Sequence, residues 1–305
     1  MAADARLGLA VSGGADSLAL LLLAHDAMPA RIAVGSVDHG LRPEAAAECA
    51  LVADLCARLG IPHETLRIAP VAGGNLQARA RDGRYRALGE WAMRTGCAAI
   101  ATAHHADDQA ETILMRLARG SATRGLAAIR PVADVPGHRG LPLIRPLLSW
   151  RSNELRAVVR SAGITPVEDP SNEDERFLRV RVRKWLRDAP VGIEPERLAR
   201  SARFLAEDAA ALNWAADRQI ETRVSWGQDT ATYRPIAPHA IRLRIVAIIV
   251  EQLSSEGDAR GDKLAHLVDE LEAGRTATLR GVRCEPGEDG WHFAKAPPRR
   301  DYNSP

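Results

Sequence analysis

Residues Leu7 to Leu23 read LGLAVSGGADSLALLLL, an apolar run that breaks into a small polar turn and resumes as a second apolar run. Leu7 to Val11 is too short and too apolar for anything but a buried strand. Ser12 to Asp16 supplies turn chemistry, and Ser17 to Asp26 is rich in strong helix formers. The polar loop is therefore expected at a helix N-terminus, where unpaired backbone N–H groups and the helix dipole favour an anion. Gly13 and Gly14 allow close backbone approach and positive φ, Ala15 adds little bulk, and Ser12 and Ser17 add hydroxyl donors. Phosphate or pyrophosphate fits such a loop best. Both the GK[ST] ending of a Walker loop and the GxGxxG of a dinucleotide fold are missing from it. Asp16 is the unusual member, either a cap on helical N–H groups or a carrier of the divalent ion that accompanies a nucleotide.

Further along, Arg31 to Val37 reads as a second buried strand, Ala45 to Leu59 as a helix, and Thr65 to Ile68 as a short strand. Asn75 caps a long helix to about Thr95, and Ala98 to Ala103 is another apolar strand. Strands alternating with helices predict an α/β fold with a doubly wound, mainly parallel sheet. Ligands bind such sheets beyond the carboxyl ends of the strands, where strand order reverses. Three polar groups fall on that edge: Ser12 to Ser17, Asp38 with His39, and His104 to Asp108. By themselves Asp38 and His39 read as a turn. Beyond about Gly192 the alternation stops. Pro195 to Val224 reads as a long amphipathic helix with Phe204 and Trp214 on its apolar stripe, Pro238 to Leu253 and Asp262 to Ala273 as further helices, and Thr276 to Cys284 with Gly290 to Lys295 as a terminal hairpin. The expected organisation is a catalytic domain over residues 1–190, a smaller, mostly helical domain with a terminal hairpin over 191–296, and a disordered tail over 297–305.

At 305 residues with 46% hydrophobic content, the chain is long enough for two cored domains. A net charge of +2 means that any nucleic-acid partner must be held by a local basic patch. Aromatic residues make up only 4%, which disfavours extended stacking platforms. Cys49, Cys56, Cys97 and Cys284 show neither CxxC pairing nor metal-ligand spacing and are expected as buried thiols. With no signal-peptide pattern and no apolar run of about 18 residues, a cytoplasmic protein without a membrane partner is expected. Oligomeric state is not fixed, and a homodimer is compatible with the sequence.

The segment from Ala101 to Ile129, ATAHHADDQAETILMRLARGSATRGLAAI, concentrates polar chemistry at the end of the fourth strand. Asp107 and Glu111 lie one turn apart on one helical face, with Asp108 beside them. Two histidines with these acids point to a metal or catalytic role. A metal-dependent hydrolase built on His104, His105, Asp107 and Asp108 would need further ligands and would leave SGGADS idle. From Arg176 to Arg187 there are six basic residues and no acid. Such a run suits phosphate groups of a nucleotide or an RNA backbone.

SGGADS resembles the SGGxDS signature of the PP-loop ATP pyrophosphatases, which cleave ATP to AMP and pyrophosphate. VDHGLRPE (residues 37–44), HHADDQAET (104–112), RGSATRGL (119–126) and the stretch RPLLSW…DPSN…RVRVRKWL (145–186) resemble the tRNA(Ile)-lysidine synthetase family within it. Val180 departs from that pattern, where Asn is usual.

The resemblance implies ATP with Mg²⁺, and as partners L-lysine and a tRNA(Ile) with a CAU anticodon. It implies that Ser12, Gly13, Gly14, Ala15, Asp16, Ser17, Asp38, His39 and His104 bind the nucleotide, with Asp16 also the metal ligand. Arg116, Arg119, Arg124, Arg179, Arg181 and Arg183 would meet the tRNA. Asp16, Asp107 and Glu111 would be catalytic, with Asp107 or Glu111 orienting the lysine and accepting its proton. A tRNA thiolase on the same fold would need reactive cysteines, and none is expected near the three-loop edge in a redox spacing. A nucleotide-dependent tRNA-binding protein without chemistry would form no AMP.

Overall fold

The computed structural model describes residues 5–40, 44–68, 76–167, 173–188, 192–254 and 261–296. Expectations for Asn75, the DPSN segment and the tail from Pro297 lie outside these residues. The chain forms two compact units, Met1–Arg119 with Ala127–Arg203, and Gly120–Leu126 with Phe204–Pro305.

The first unit is built on a six-stranded sheet. Strands β1 (Arg6–Ala10), β2 (Ile32–Asp38), β3 (His63–Arg67), β4 (Cys97–Ala101), β5 (Val132–Val135) and β6 (His138–Ile144) are arranged in the order β3-β2-β1-β4-β6-β5. β1 pairs in parallel with both β2 and β4, and the chain reverses its winding direction there. Only β5, antiparallel to β6, departs from the parallel arrangement. The sequence reading missed this last pair. The β6 run HRGLPLI is broken by Gly140 and Pro142, but Pro136–Gly137 between the strands is a turn signal that was there to be read.

Helices α1 (Ala15–Ala27), α2 (Glu44–Leu59) and α3 (Leu76–Arg94) cross between the strands. α4 (Ala106–Leu117) follows β4, a short α5 (Thr123–Leu126) comes next, and α6 (Ser152–Ser161) and α7 (Leu178–Asp188) come after β6. The apolar strand residues are covered on both faces. Leu9, Leu18, Leu21, Val52 and Leu155 form one core, and Tyr85, Leu88, Trp91, Ile100 and Leu143 the other. A β-carbon on Gly8 would come within 2.8 Å of the Trp91 ring, so a glycine in β1 lets that indole lie on the sheet.

The division between the units falls inside α8 (Pro195–Arg223), whereas the sequence reading puts it between residues 190 and 191. The buried stripe of α8 is Ala202, Ala209 and Ala216. Phe204 and Trp214, expected on that stripe, are 50% and 65% exposed. Each lies five residues from Ala209, about 140° round the helix. The Arg218 guanidinium covers the Trp214 ring at 5.6 Å.

In the second unit, α9 (His239–Leu253) and α10 (Gly261–Glu272) match expectation. Strands β7 (Val224–Trp226), β8 (Thr230–Tyr233), β9 (Ala277–Leu279), β10 (Val282–Gly287) and β11 (Gly290–Lys295) form an antiparallel sheet in the order β7-β8-β11-β10-β9. The expected hairpin β10–β11 is therefore part of a larger sheet. β7 to β9 run only three or four residues, too short for an alternating pattern to show. Among the described residues no helix is long and apolar enough to cross a membrane.

Candidate active site

The carboxyl ends of β1, β2 and β4 open onto one cavity of about 590 Å³, lined among others by Ser12, Gly14, Asp16, His39, Thr102, His104 and Asp108. The three polar groups singled out in the sequence thus share one wall system, all within the first unit.

The loop after β1 is held by its own hydroxyls. Ser17, buried in the first turn of α1, accepts a hydrogen bond from the Ser12 N–H at 3.1 Å and donates to the Gly14 carbonyl at 2.9 Å. Its hydroxyl is therefore committed to loop shape, while Ser12 is exposed. Gly13 has φ +87°, and its carbonyl accepts from the Val167 N–H at 3.1 Å. Gly14 is the extended residue before α1, so the free N–H groups of the first turn open at this loop.

Asp38 accepts from the Gly40 N–H at 2.9 Å, which makes it the turn residue it resembles, whereas His39 belongs to the cavity wall. α2 contributes Glu48 and Cys49 to the same wall and α3 contributes Arg81 and Arg84, none of which the sequence reading singled out. Cys49 lines this wall with no second cysteine among the residues that line it, so it lacks the redox spacing a thiolase needs. Burial first, then the Asp38 and Glu48 charges, push its thiol up, away from the reactive thiolate.

The two histidines ending β4 have opposite environments. His104 bonds Thr102 Oγ1 through Nδ1 at 2.9 Å. Burial lowers its pKa to about 4; Asp108 opposes the shift, while Arg145, Arg81 and Arg84 add to it, so the imidazole is neutral. His105 is buried among three carboxylates. Nε2 lies 3.4 Å from Asp16 and 3.6 Å from Asp108, and Nδ1 lies 3.5 Å from Asp107. Burial opposes its charge, but Asp107, Asp16 and Asp108 outweigh it and raise the pKa to about 10, so His105 is a cation. The sequence reading grouped both histidines with these acids but gave a nucleotide-binding role to His104 alone, because adjacent histidines give no sign of which one the fold will bury.

Asp107 and Glu111, the expected proton acceptors, are both engaged by arginines. Arg151 grips Asp107 through Nε and Nη2 at 3.1 to 3.3 Å, and the Ser152 N–H donates to it at 2.9 Å. Burial would raise the Asp107 pKa, but His105, Arg151 and Ser152 hold it well below the usual carboxylate range. Arg151 also reaches Glu196 at 2.5 Å, and Ser152 Oγ lies 3.4 Å from Asp16. The SWRSNEL segment thus carries the start of α6 onto α4 and the phosphate-type loop. Glu111 is fully buried and faces two arginines of α7, Arg179 Nε at 2.8 Å and Arg183 Nε at 2.6 Å. Arg179, Arg181 and Arg183 lie on this helix, and the (i, i+4) pair Arg179 and Arg183 converges on one acid. Asp108 serves both the helix start and the cavity. It accepts from the His105 N–H at 3.2 Å and lines the cavity.

Of the expected RNA contacts, Arg179 lines the cavity and Arg181 is exposed on α7. Arg116 donates to the Ala128 carbonyl at 3.0 Å, while Arg119 and Arg124 are exposed. Asp16 is a cavity-wall carboxylate with Asp108 and serine oxygens nearby, a hard oxygen donor set that suits a small divalent cation.

A phosphate-type loop at the switch point of a doubly wound sheet, facing acids and histidines across a nucleotide-sized cavity, defines a PP-loop ATP-binding protein. The family model of the PP-loop domain matches residues 2–189. At the level of fold, the U34-tRNA thiolase of Methanococcus maripaludis superposes with a TM-score of 0.53 at 17% identity, over 67% of this chain and 73% of that one. Within the class, the chain belongs to the tRNA(Ile)-lysidine synthase family. It is 45% identical to the tRNA(Ile)-lysidine synthase of Novosphingobium aromaticivorans over 98% of this chain and 92% of that protein. It is 40% identical to that of Zymomonas mobilis over 97% and 90%.

Proposed function

We propose that the chain ligates lysine to C2 of the wobble cytidine in a CAU-anticodon tRNA(Ile), consuming ATP and releasing AMP and pyrophosphate in the cytoplasm. The observation that carries this reading is the single cavity joining the Ser12–Ser17 loop to His104 and Asp108. A loop for the triphosphate and a carboxylate for an incoming amine are then within one enclosure.

The C2 oxygen of cytidine attacks the α-phosphorus of ATP, and pyrophosphate leaves toward the loop amides and the α1 dipole. The oxygen, a poor leaving group by itself, now departs as part of AMP when the lysine ε-amine attacks C2. Asp16 would hold Mg²⁺, which supplies charge neutralisation at the phosphates. His105 fixes Asp16 and Asp108 as a buried cation between them, and Arg151 fixes Asp107.

The amine arrives with a reference pKa of about 10.4, as an ammonium that must lose a proton. Asp107 and Glu111 are saturated by arginine, so the orienting and accepting role passes to Asp108, the acid of this helix that lines the cavity. The neutral His104 donates or accepts a hydrogen bond beside it without adding charge. Because the wobble base lies in a single-stranded loop, swinging it into the cavity costs only about a few kcal/mol.

The test is AMP release from ATP with unmodified tRNA(Ile), with and without lysine, followed by mass analysis of the wobble nucleoside. Lysine-dependent turnover and a nucleoside heavier by a lysyl group are expected. AMP formation without lysine incorporation would overturn the choice of nucleophile, and no AMP would overturn the chemistry.

A further inference from the structure

Helix α7 carries two faces of different chemistry. Arg179 and Arg183, one turn apart, face Glu111, and Arg179 also walls the cavity. Round the other side stand Leu178, Arg181, Lys184 and Trp185. Trp185 is 50% exposed and Leu178 37%, and among the described residues of the first unit Trp185 is the one exposed aromatic side chain. Lys184 is held at 2.7 Å by the exposed Glu175. The rigid side of the helix is pinned by a buried carboxylate, and the outward side offers an indole flanked by cations.

Resting on the function proposed above, we infer that this outward face of α7 is a stacking shelf for the single-stranded anticodon loop. The Trp185 indole takes the face of a nucleotide neighbouring the wobble base, and Arg181 and Lys184 take the flanking phosphates. Trp185 is six residues beyond Arg179, about 9 Å along the helix axis, so the shelf lies within two helical turns of the cavity wall. A net charge of +2 gives the molecule no general pull on a polyanion, so the cations must be local, as they are here. Cations beside the indole complement the phosphates of a polyanion, which contribute most of the affinity in nucleic-acid binding. Bases present a π-face whatever their identity, so one indole between cations suits a loop nucleotide.

The experiment measures binding of unmodified tRNA(Ile) transcript to the full-length wild type, Trp185→Ala and Trp185→Phe, together with KM for tRNA and for ATP. Trp185→Ala is expected to weaken RNA binding by about 5- to 100-fold, with KM for tRNA rising in parallel and KM for ATP unchanged. Trp185→Phe keeps most of the affinity, and Arg181→Gln lowers the salt slope of binding by about 0.7. Wild-type affinity in Trp185→Ala, or equal losses in the Ala and Phe variants, would overturn the shelf and leave the proposed function standing. A wild-type chain that binds no tRNA would overturn both. Melting temperatures of the exposed-site variants should equal wild type, which separates lost stacking from lost fold.

Discussion

Arg183 Nε lies 2.6 Å from Oε1 of Glu111, a carboxylate only 1% exposed, and Arg179 closes on the other oxygen at 2.8 Å. A buried carboxylate with no partner is far more costly than arginines with no partner, because these guanidinia are 43% and 38% exposed and water can serve them. The double variant Arg179→Met/Arg183→Met should therefore lose about 3–5 kcal/mol of stability. Glu111→Gln should lose about 1–2 kcal/mol, less because the arginines stay hydrated. Urea denaturation of the variants measures both. The reverse order would mean that Glu111 is not the anchor of α7.

His104 and His105 should titrate on opposite sides of the ordinary histidine value of 6.5, near 4 and near 10. For His104 the folded pKa is depressed, so between about pH 4 and 6.5 the unfolded chain binds more protons and stability rises with pH. For His105 the folded pKa is raised. Its contribution is full below 6.5, declines above that, and is lost as pH passes about 10. Chemical denaturation across this range, with chelator present, should show His104→Gln flattening the acid limb and His105→Gln the alkaline one. Imidazole NMR titrations of the two rings give the midpoints directly; a shared midpoint near 6.5 would refute the opposed environments.

The parallel strands and their edge were legible because buried strands are short continuous apolar runs, and because strand–helix alternation fixes where their polar ends go. β1 to β4 differ from the sequence reading by two residues or fewer at every end. Arg81, Arg84 and Arg151 were not legible as site residues, since an arginine on a helix looks like a solvated charge until tertiary packing turns it inward. The same limit explains Asp107 and Asp108. Adjacent acids on a helix point about 100° apart, and only the position of Arg151 decides which one is gripped and which one lines the cavity.

Gly13 combines φ +87° with a tight approach, since an added β-carbon would lie 3.3 Å from the Glu48 carbonyl oxygen. Alanine there meets both the left-handed penalty, about 1–2 kcal/mol, and a backbone neighbour on α2. Gly13→Ala should weaken ATP binding at least tenfold. Gly14, extended and with only Ser12 Oγ at 3.9 Å, should accept alanine with a smaller loss. Calorimetric titration with a non-hydrolysable ATP analogue compares them, and equal tolerance would show that loop curvature at Gly13 does not set the nucleotide site.

Asp107→Asn and Asp108→Asn separate holding from chemistry. Asp107 accepts from Arg151, from the Ser152 N–H and from the His105 side, and it does not line the cavity. Asparagine keeps its shape but loses the charge that Arg151 and His105 both use. The expected result is a lower melting temperature, with lysine transfer reduced in proportion to the displacement of α6. Asp108 accepts one hydrogen bond from the His105 N–H at the helix start and lines the cavity. Asp108→Asn should fold with little loss, form the adenylated cytidine at close to the wild-type rate and release AMP slowly, with lysine transfer down by about 10²- to 10⁴-fold, the range for removing a positioned proton acceptor. Rapid-quench assays that follow adenylate formation and lysine incorporation separately discriminate the two steps. If Asp107→Asn instead abolishes transfer without touching stability, the proton goes to Asp107, and the Arg151 grip must loosen when the substrates bind.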